Sequence, residues 1–343
     1  MEYGAIDLHA KESEIRIVGA DGDVVLERRI ATTADRLTAV FGARAAMRVL
    51  LESGTGSEWV AQHLEGLGHE VVVADPNYTV MYGTRHRRIK TDRRDVAALA
   101  EANRCGIFRR AHRVSASQRD VRRRLRVREQ LIRVRGQAIN LLRAQLRSEG
   151  VRVPTGAAET FAARFGASAV SGAVRDAMAP MLELLAAIAP LIAQAERWTR
   201  QAAQRDRVAQ RLMTAPGVGP VVALAYQATL DDVGRFVTPG AVTAYLGLVP
   251  REHSSGAHQR KGAITKAGPS RMRMLLIQSA WHLWRSPGGS GALHAWSRRL
   301  GERRGRRIAI VALARRLARI LWAMGRDARD FDAARFGRRS EAA

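Results

Sequence analysis

The 343-residue sequence predicts an α/β unit followed by a mostly helical remainder. Three observations predict this. Short β-rich runs crowd the first thirty residues, helical and strand periods alternate from there to Asp95, and beyond Ser115 the apolar residues recur at helical spacing. On this reading the chain divides into a sheet-containing domain over 1–112, a helical, coiled-coil linker over 113–208, a helical domain over 209–330 and a flexible tail over 331–343.

Tyr3–His9, Glu14–Gly19 and Val24–Ile30 are the first three strands, with Ala20-Asp21-Gly22-Asp23 as the turn between the last two. Thr33 caps a helix running to about Arg44, and Arg48–Leu51 is a short apolar strand that ends at Glu52. Gly54-Thr55-Gly56-Ser57 leads into a helix through Leu67, Val71-Val72-Val73 reads as a buried strand, and a further helix opens near Asp92. A three-strand meander followed by alternating helices and strands makes a mixed sheet flanked by helices, in the element order of the ribonuclease H-like fold.

From Ser115 to about Ser148 an apolar stripe of Val121, Leu125, Leu131, Val134, Leu141 and Leu142 runs among arginines. Pro154 and Gly156 break it, an alanine-rich helical region continues to about Gln210, and Met213–Pro220 turns into the last domain. There Pro250 opens a polar, glycine-containing loop, and Pro269 starts a helix at a position that tolerates proline. Two amphipathic helices near Gly291–Arg299 and Arg307–Met324 complete the domain.

The formal net charge of +25 exceeds what solubility needs and points to a polyanionic partner, nucleic acid before any other. Only four lysines occur, so the charge sits on arginine, whose planar fork suits phosphate oxygens; a GC-rich genome gives the same bias. Arg104–Arg152 holds fifteen arginines against Asp120, Glu129 and Glu149, too few acids for pairing along a helix. Such a segment lies along a nucleic-acid backbone or pairs with another subunit, the alternative being a solvated face. Aromatic residues, at 5%, leave little for base stacking, and the single Cys105 excludes an internal disulfide and a cysteine zinc site. No charged-then-apolar leader opens the sequence. The most apolar stretch, Met178–Ala195, is interrupted by Pro180, Glu183 and Pro190, so the chain reads as cytoplasmic with nothing placed in a membrane.

Asp7 sits inside the first strand, where an acid is normally excluded from a sheet covered on both faces. Glu52 lies at the carboxyl end of the fourth strand, and Asp92 and Asp95, three apart, project from one face at the start of a helix. Four acids from three elements would converge on one point, where they repel unless cations neutralise them; oxygen-only ligands select Mg²⁺ or Mn²⁺. Two such ions about 4 Å apart are the usual device for phosphodiester chemistry. The plainer readings are a strand-end acid for Asp7, a helix cap for Asp92 and a charge against the helix dipole for Asp95. Asp75 competes for a ligand place, but Pro76 beside it points to a turn.

Pro216-Gly217-Val218-Gly219-Pro220, between helices, resembles a helix-hairpin-helix turn, whose glycines let backbone N–H groups approach a phosphate; a plain interhelical turn is the alternative. The stretch Leu246–Gly268 contains the adjacent Ser254 and Ser255, two histidines and the cations Arg251, Arg260, Lys261 and Lys266, with Arg271 just beyond. A serine hydroxyl attacks phosphorus poorly unless a base takes its proton and cations hold the phosphate, and both kinds of group are present. Composition alone makes this a flexible phosphate-binding loop.

Taken together, Gly4-Ala5-Ile6-Asp7-Leu8-His9, Leu51-Glu52-Ser53-Gly54-Thr55-Gly56, Lys90-Thr91-Asp92-Arg93-Arg94-Asp95, the Pro-Gly-Val-Gly-Pro turn, Leu246–Pro250, Ser255-Gly256 and Ile264–Gly268 carry a family likeness. The chain resembles the DEDD-type insertion-sequence transposases, the insertion-sequence one-ten family, also described as bridge-RNA-guided recombinases, over nearly its whole length. The resemblance implies a resolvase-like domain with Asp7, Glu52, Asp92 and Asp95 as catalytic metal ligands, a coiled-coil segment, and a domain whose serine, Ser255 by motif position, becomes covalently joined to DNA. It implies a homo-oligomer, dimer or tetramer, in which one protomer's serine meets another's carboxylates, and an element-encoded guide RNA that chooses the DNA. A bacterial protein associated with the nucleoid follows from the same likeness. The alternatives are a resolvase-like nuclease that uses water as nucleophile and a non-catalytic nucleic-acid-binding protein.

Overall fold

β1 (Tyr3–Leu8) is the middle strand of a five-stranded sheet completed by β2 (Glu12–Val18), β3 (Val24–Ala31), β4 (Arg48–Glu52) and β5 (Glu70–Ala74), in the order β3-β2-β1-β4-β5. The computed structural model describes residues 1–83, 92–255, 258–286 and 291–334, with the backbone alone for 253–255 and 258–261. β2 runs antiparallel to β1 and β3, to which short turns join it. β4 and β5 run parallel to β1, as crossover connections through α1 (Ala34–Phe41) and α2 (Ser57–Gly66) require. Thr33 starts α1 by accepting from the Arg36 N–H.

Strand alternation sorts the side chains onto two faces. Ile6, Ile15, Ile17, Val49, Leu51, Val71 and Val73 pack in one core with Leu37, Phe41, Val60 and Leu64 of α1 and α2. Ala5, Leu50, Val72 and Ala74 form the opposite core with Val96, Leu99 and Ala100 of α3 (Asp92–Cys105). Asn103 of α3 is fully buried; it donates to the carbonyls of Gly4 and Arg48, each at 2.8 Å, and accepts from Arg48 Nε at 2.7 Å. That side chain ties α3 to β1 and β4.

Met1–Val114 is one compact unit and the chain from Ser115 onward a second, so segment 113–208 shares its unit with the C-terminal helices apart from its first two residues. This unit comprises α4 (Ala116–Ser148), α5 (Phe161–Gly166), α6 (Gly172–Arg205), α7 (Arg207–Met213), α8 (Pro220–Leu230), α9 (Pro239–Tyr245), the hairpin β6 (Pro250–Ser255) and β7 (His258–Ile264), α10 (Ser270–Arg285), α11 (Ala292–Arg304) and α12 (Arg306–Asp327). Tyr226, Leu276, Leu313, Leu317 and Trp322 belong to its main core, where the buried Tyr226 hydroxyl donates to the Ala318 carbonyl at 2.6 Å. Leu142 and Leu146 of α4 meet Phe161, Phe165, Met178 and Leu185 in a smaller core. Most of the tail, 335–343, lies outside the described residues.

The second unit corrects several expectations. Pro180 and Pro190 do not interrupt the apolar stretch: α6 runs through both. Each proline removes one helical hydrogen bond, and burial of Met178, Leu185, Ile188 and Ile192 outweighs that loss. By length and composition alone, α6 is the described helix long and apolar enough to cross a membrane. The buried stripe of α4 is Leu125, Ala138, Ile139, Leu142 and Leu146, whereas Leu141 is exposed, because a 3.6-residue period rotates it off the seam.

Several α4 arginines are internal struts. Arg122 donates to the carbonyls of Ala228 and Thr229, capping the end of α8; Arg128 pairs with Glu196 and Arg135 with Glu159. The segment after Pro250 is also no loop. It is an antiparallel hairpin whose charged side chains carry none of the apolar alternation by which strands are usually read.

Candidate active site

The sheet alternation that buries Ala5 toward α3 puts Asp7 and His9 on the same face, and Leu50 carries Glu52 with it. Register pairs Ile6 with Leu51, so Asp7 and Glu52 stand level at the carboxyl ends of two parallel strands. α3 begins at Asp92 and contributes Asp92 and Asp95 from its first turn. Asp7, Glu52, Asp92 and Asp95 line one cavity of about 340 Å³, together with Leu8, His9, Pro76 and Tyr82. The structure thus brings the four acids named from the sequence together.

Donor atoms of Asp7, His9 and Asp92 all lie within 4.8 Å of one another, and Asp95 is 7% exposed. Burial holds the Asp7 carboxyl above the ordinary carboxylate range; His9 acts against this, and the charges of Glu52, Asp92 and Asp95 add to it. Mutually repelling carboxylates with an imidazole among them fit a divalent cation. The set differs from the oxygen-only expectation through His9, a nitrogen donor that transition metals favour over Mg²⁺.

Two lining residues escape sequence reasoning. His9 follows Asp7 by two, a spacing that puts both on one strand face, and that spacing was the available signal. Tyr82 lies on a single 3₁₀ turn, Thr79–Tyr82, and donates its hydroxyl to Glu52 Oε1. No periodicity marks it. Asp75 takes the turn role: burial alone would raise its pKa, but donation from the Asn77 N–H, Arg109 and the Asn77 side chain holds it below the ordinary value.

Residues 5–149 match the DEDD-type IS110 family model, described as a transposase, and residues 209–295 match that of the transposase IS116/IS110/IS902 family. A probable family 20 transposase of Pseudomonas aeruginosa is 34% identical over 287 residues, covering 80% of this chain and 83% of its own length. The chain belongs to the IS116/IS110/IS902 family of transposases. The transposase for insertion sequence element IS1111A of Coxiella burnetii is 30% identical, with 88% of this chain and 84% of the relative covered. That for IS1328 of Yersinia enterocolitica is 28% identical, with 92% and 94% covered. The activity of this insertion-sequence transposase is transposition, and DNA is its substrate.

In the second unit of the transposase, Gly217 adopts φ +76° in the turn between α7 and α8, and a Cβ there would stand 2.9 Å from the Ser279 carbonyl oxygen of α10. Its missing side chain therefore serves packing. Gly219 is the N-cap of α8, with no atom within 4 Å of where a Cβ would be. Ser255 ends β6, paired in register with His258; its side chain and those of Arg260 and Lys261 lie outside the described residues, as do Lys90, Thr91 and Gly256 entirely.

Arg251 and Lys266 are exposed, and the Lys266 N–H donates to the Gly247 carbonyl at 3.1 Å. The buried Arg273 donates to the carbonyls of Leu246 and Ala267, binding the base of the hairpin to the end of α9. Arg271, grouped with the loop cations from sequence, instead pairs with Glu129 at 2.5 Å and donates to the Leu125 carbonyl.

Proposed function

We propose that this transposase excises and inserts its element by phosphoryl transfer at the Asp7–Glu52–Asp92–Asp95 centre, with Ser255 as nucleophile. The observation that carries the reading is the meeting of four carboxylates in one cavity wall. Asp7, Glu52, Asp92, Asp95 and His9 are the residues that would hold divalent ions, Mg²⁺ or Mn²⁺. A bound ion of this kind withdraws charge from a phosphodiester and steadies the leaving oxygen.

The remaining roles belong to the chain. Ser255 forms a bond to phosphorus as the bond to a sugar oxygen breaks, and the released sugar hydroxyl carries the proton. Attack by the hydroxyl of a second strand restores the serine and joins the new strand. Arg251, Arg260, Lys261 and Lys266 offset the phosphate charge, and the N–H groups at Gly217 and Gly219 position the backbone as in a helix-hairpin-helix.

The sheet order β3-β2-β1-β4-β5, with β2 antiparallel, supports a ribonuclease H-like, resolvase-type domain over 1–112. We assign 113–208 to a coiled-coil linker, 209–330 to the serine-bearing domain and 331–343 to a tail. Oligomers in which one protomer's Ser255 meets another's carboxylates, an element-encoded guide RNA and association with the nucleoid complete the proposal.

Denaturing electrophoresis of the protein with labelled element-end DNA tests it. A covalent adduct is expected in the wild type and none in Ser255→Ala. Asp7→Asn should abolish recombination while leaving DNA binding intact. Full activity of Ser255→Ala would move the nucleophile to water.

A further inference from the structure

α12 presents Arg315, Arg316, Arg319 and Arg326 to a groove of about 900 Å³ that Trp296, Trp322 and Asp327 also line. Arg326 pairs with Asp327 at 2.7 Å. Among the described residues, no carboxylate lies at ion-pair distance from Arg315, Arg316 or Arg319. Arg315 and Arg319 are one helical turn apart and Arg316 adjoins them, so three like charges share one patch.

Burial lowers the basicity of Arg315 and Arg316, and the charge of Arg319 lowers it further. The buried Nε of Arg315 has no hydrogen-bond partner among the described residues. Cations held partly out of water without counter-charges destabilise the free protein, and an anionic ligand relieves that cost.

The groove also indicates which anion. Arg316 lies 4.5 Å over the Trp296 ring and Arg326 4.5 Å over that of Trp322, which is itself buried. Each indole thus has an arginine over one face, which is not offered to an unpaired base, the means by which single strands are gripped. Among the described residues, the lining holds no asparagine or glutamine, the side chains that read an adenine edge. We propose that this groove binds the phosphodiester backbone of duplex DNA, independently of sequence, through Arg315, Arg316 and Arg319. The inference takes from the family assignment only that DNA is the substrate, and none of the three arginines has a part in the reaction above.

The test is fluorescence anisotropy of the full chain with two duplexes of unrelated sequence, and with an RNA hairpin, over a salt series. The variants are Arg315→Gln/Arg316→Gln/Arg319→Gln and Arg319→Gln alone. The slope of log affinity against log salt should fall by about 0.9 for each phosphate no longer neutralised, roughly 2 to 3 for the triple variant, equally on both duplexes. Melting temperature without DNA should hold or rise, since repulsion is removed. Should the triple variant fail to fold, Arg319→Gln carries the test, because that side chain is exposed. A folded variant with the wild-type slope on duplex DNA overturns the inference, as does a loss confined to the RNA hairpin. Ser255→Ala should keep the wild-type slope, so failure of the covalent chemistry and failure of this groove read out separately.

Discussion

Nε2 of His9 stands 3.6 Å from Oδ1 of Asp92, spanning the gap between the end of β1 and the start of α3, and 3.5 Å from Oδ2 of Asp7. That placement lets the imidazole join Asp7 and Asp92 in holding an ion. His9→Ala should weaken Mn²⁺ binding by about tenfold or more and Mg²⁺ binding less, because nitrogen donors favour the transition metal. Calorimetric titration of both ions measures this, and equal losses would remove His9 from the set.

The raised Asp7 pKa sets a pH dependence. The folded protein binds the Asp7 proton more tightly than the unfolded chain does, so this contribution to stability is complete below the ordinary value of 3.8. It is lost as pH rises through the raised value. Metal-free melting temperature should therefore decline across that window, and Asp7→Asn should flatten the decline and melt higher at neutral pH. Mn²⁺ requires the deprotonated carboxylate, so its stabilising effect should grow with pH over the same range and vanish in Asp7→Asn. Identical pH profiles for wild type and variant would contradict the assignment.

Asn103→Ala removes the side chain that bonds to β1 and β4. The buried carbonyls of Gly4 and Arg48 lose their donor, at a cost of about 3 kcal/mol in chemical denaturation. Metal affinity should fall as well, since α3 carries two of the acids. Unchanged stability would mean that the helix is held by its apolar face alone.

Gly268 has φ +72°, and a Cβ there would fall 2.0 Å from the Tyr245 carbonyl oxygen. Gly268→Ala must displace either the base of the hairpin or the end of α9. A loss of about 3 kcal/mol or more is expected by differential scanning calorimetry, together with loss of recombination. Wild-type melting in this variant would refute the contact.

Legibility in the sequence follows the physics of each residue. Asp7 stands out because a carboxylate inside an apolar strand is costly, and Asp92 and Asp95 because three-residue spacing puts both on one helix face. His9 does not stand out, since a histidine at the end of a strand is ordinary at a surface. Tyr82 sits in a turn with no period, so its hold on Glu52 depends on a tertiary approach that local pattern does not encode.

The hairpin at 250–264 is hidden by its arginine, lysine and glycine, residues that read as loop. For the arginines of α4, composition cannot separate Arg122, which closes the end of α8, from a phosphate contact; only the position of the receiving carbonyls does.

The pairing of Ile6 with Leu51 makes the placement of Asp7 beside Glu52 all-or-nothing. A single-residue insertion in β1 before Asp7 would carry that carboxylate to the side of the sheet covered by α1 and α2, among Leu37, Phe41 and Val60, and no intermediate placement exists. The six residues of β1 can therefore be replaced one at a time, whereas a change in their number moves Asp7 to the wrong face.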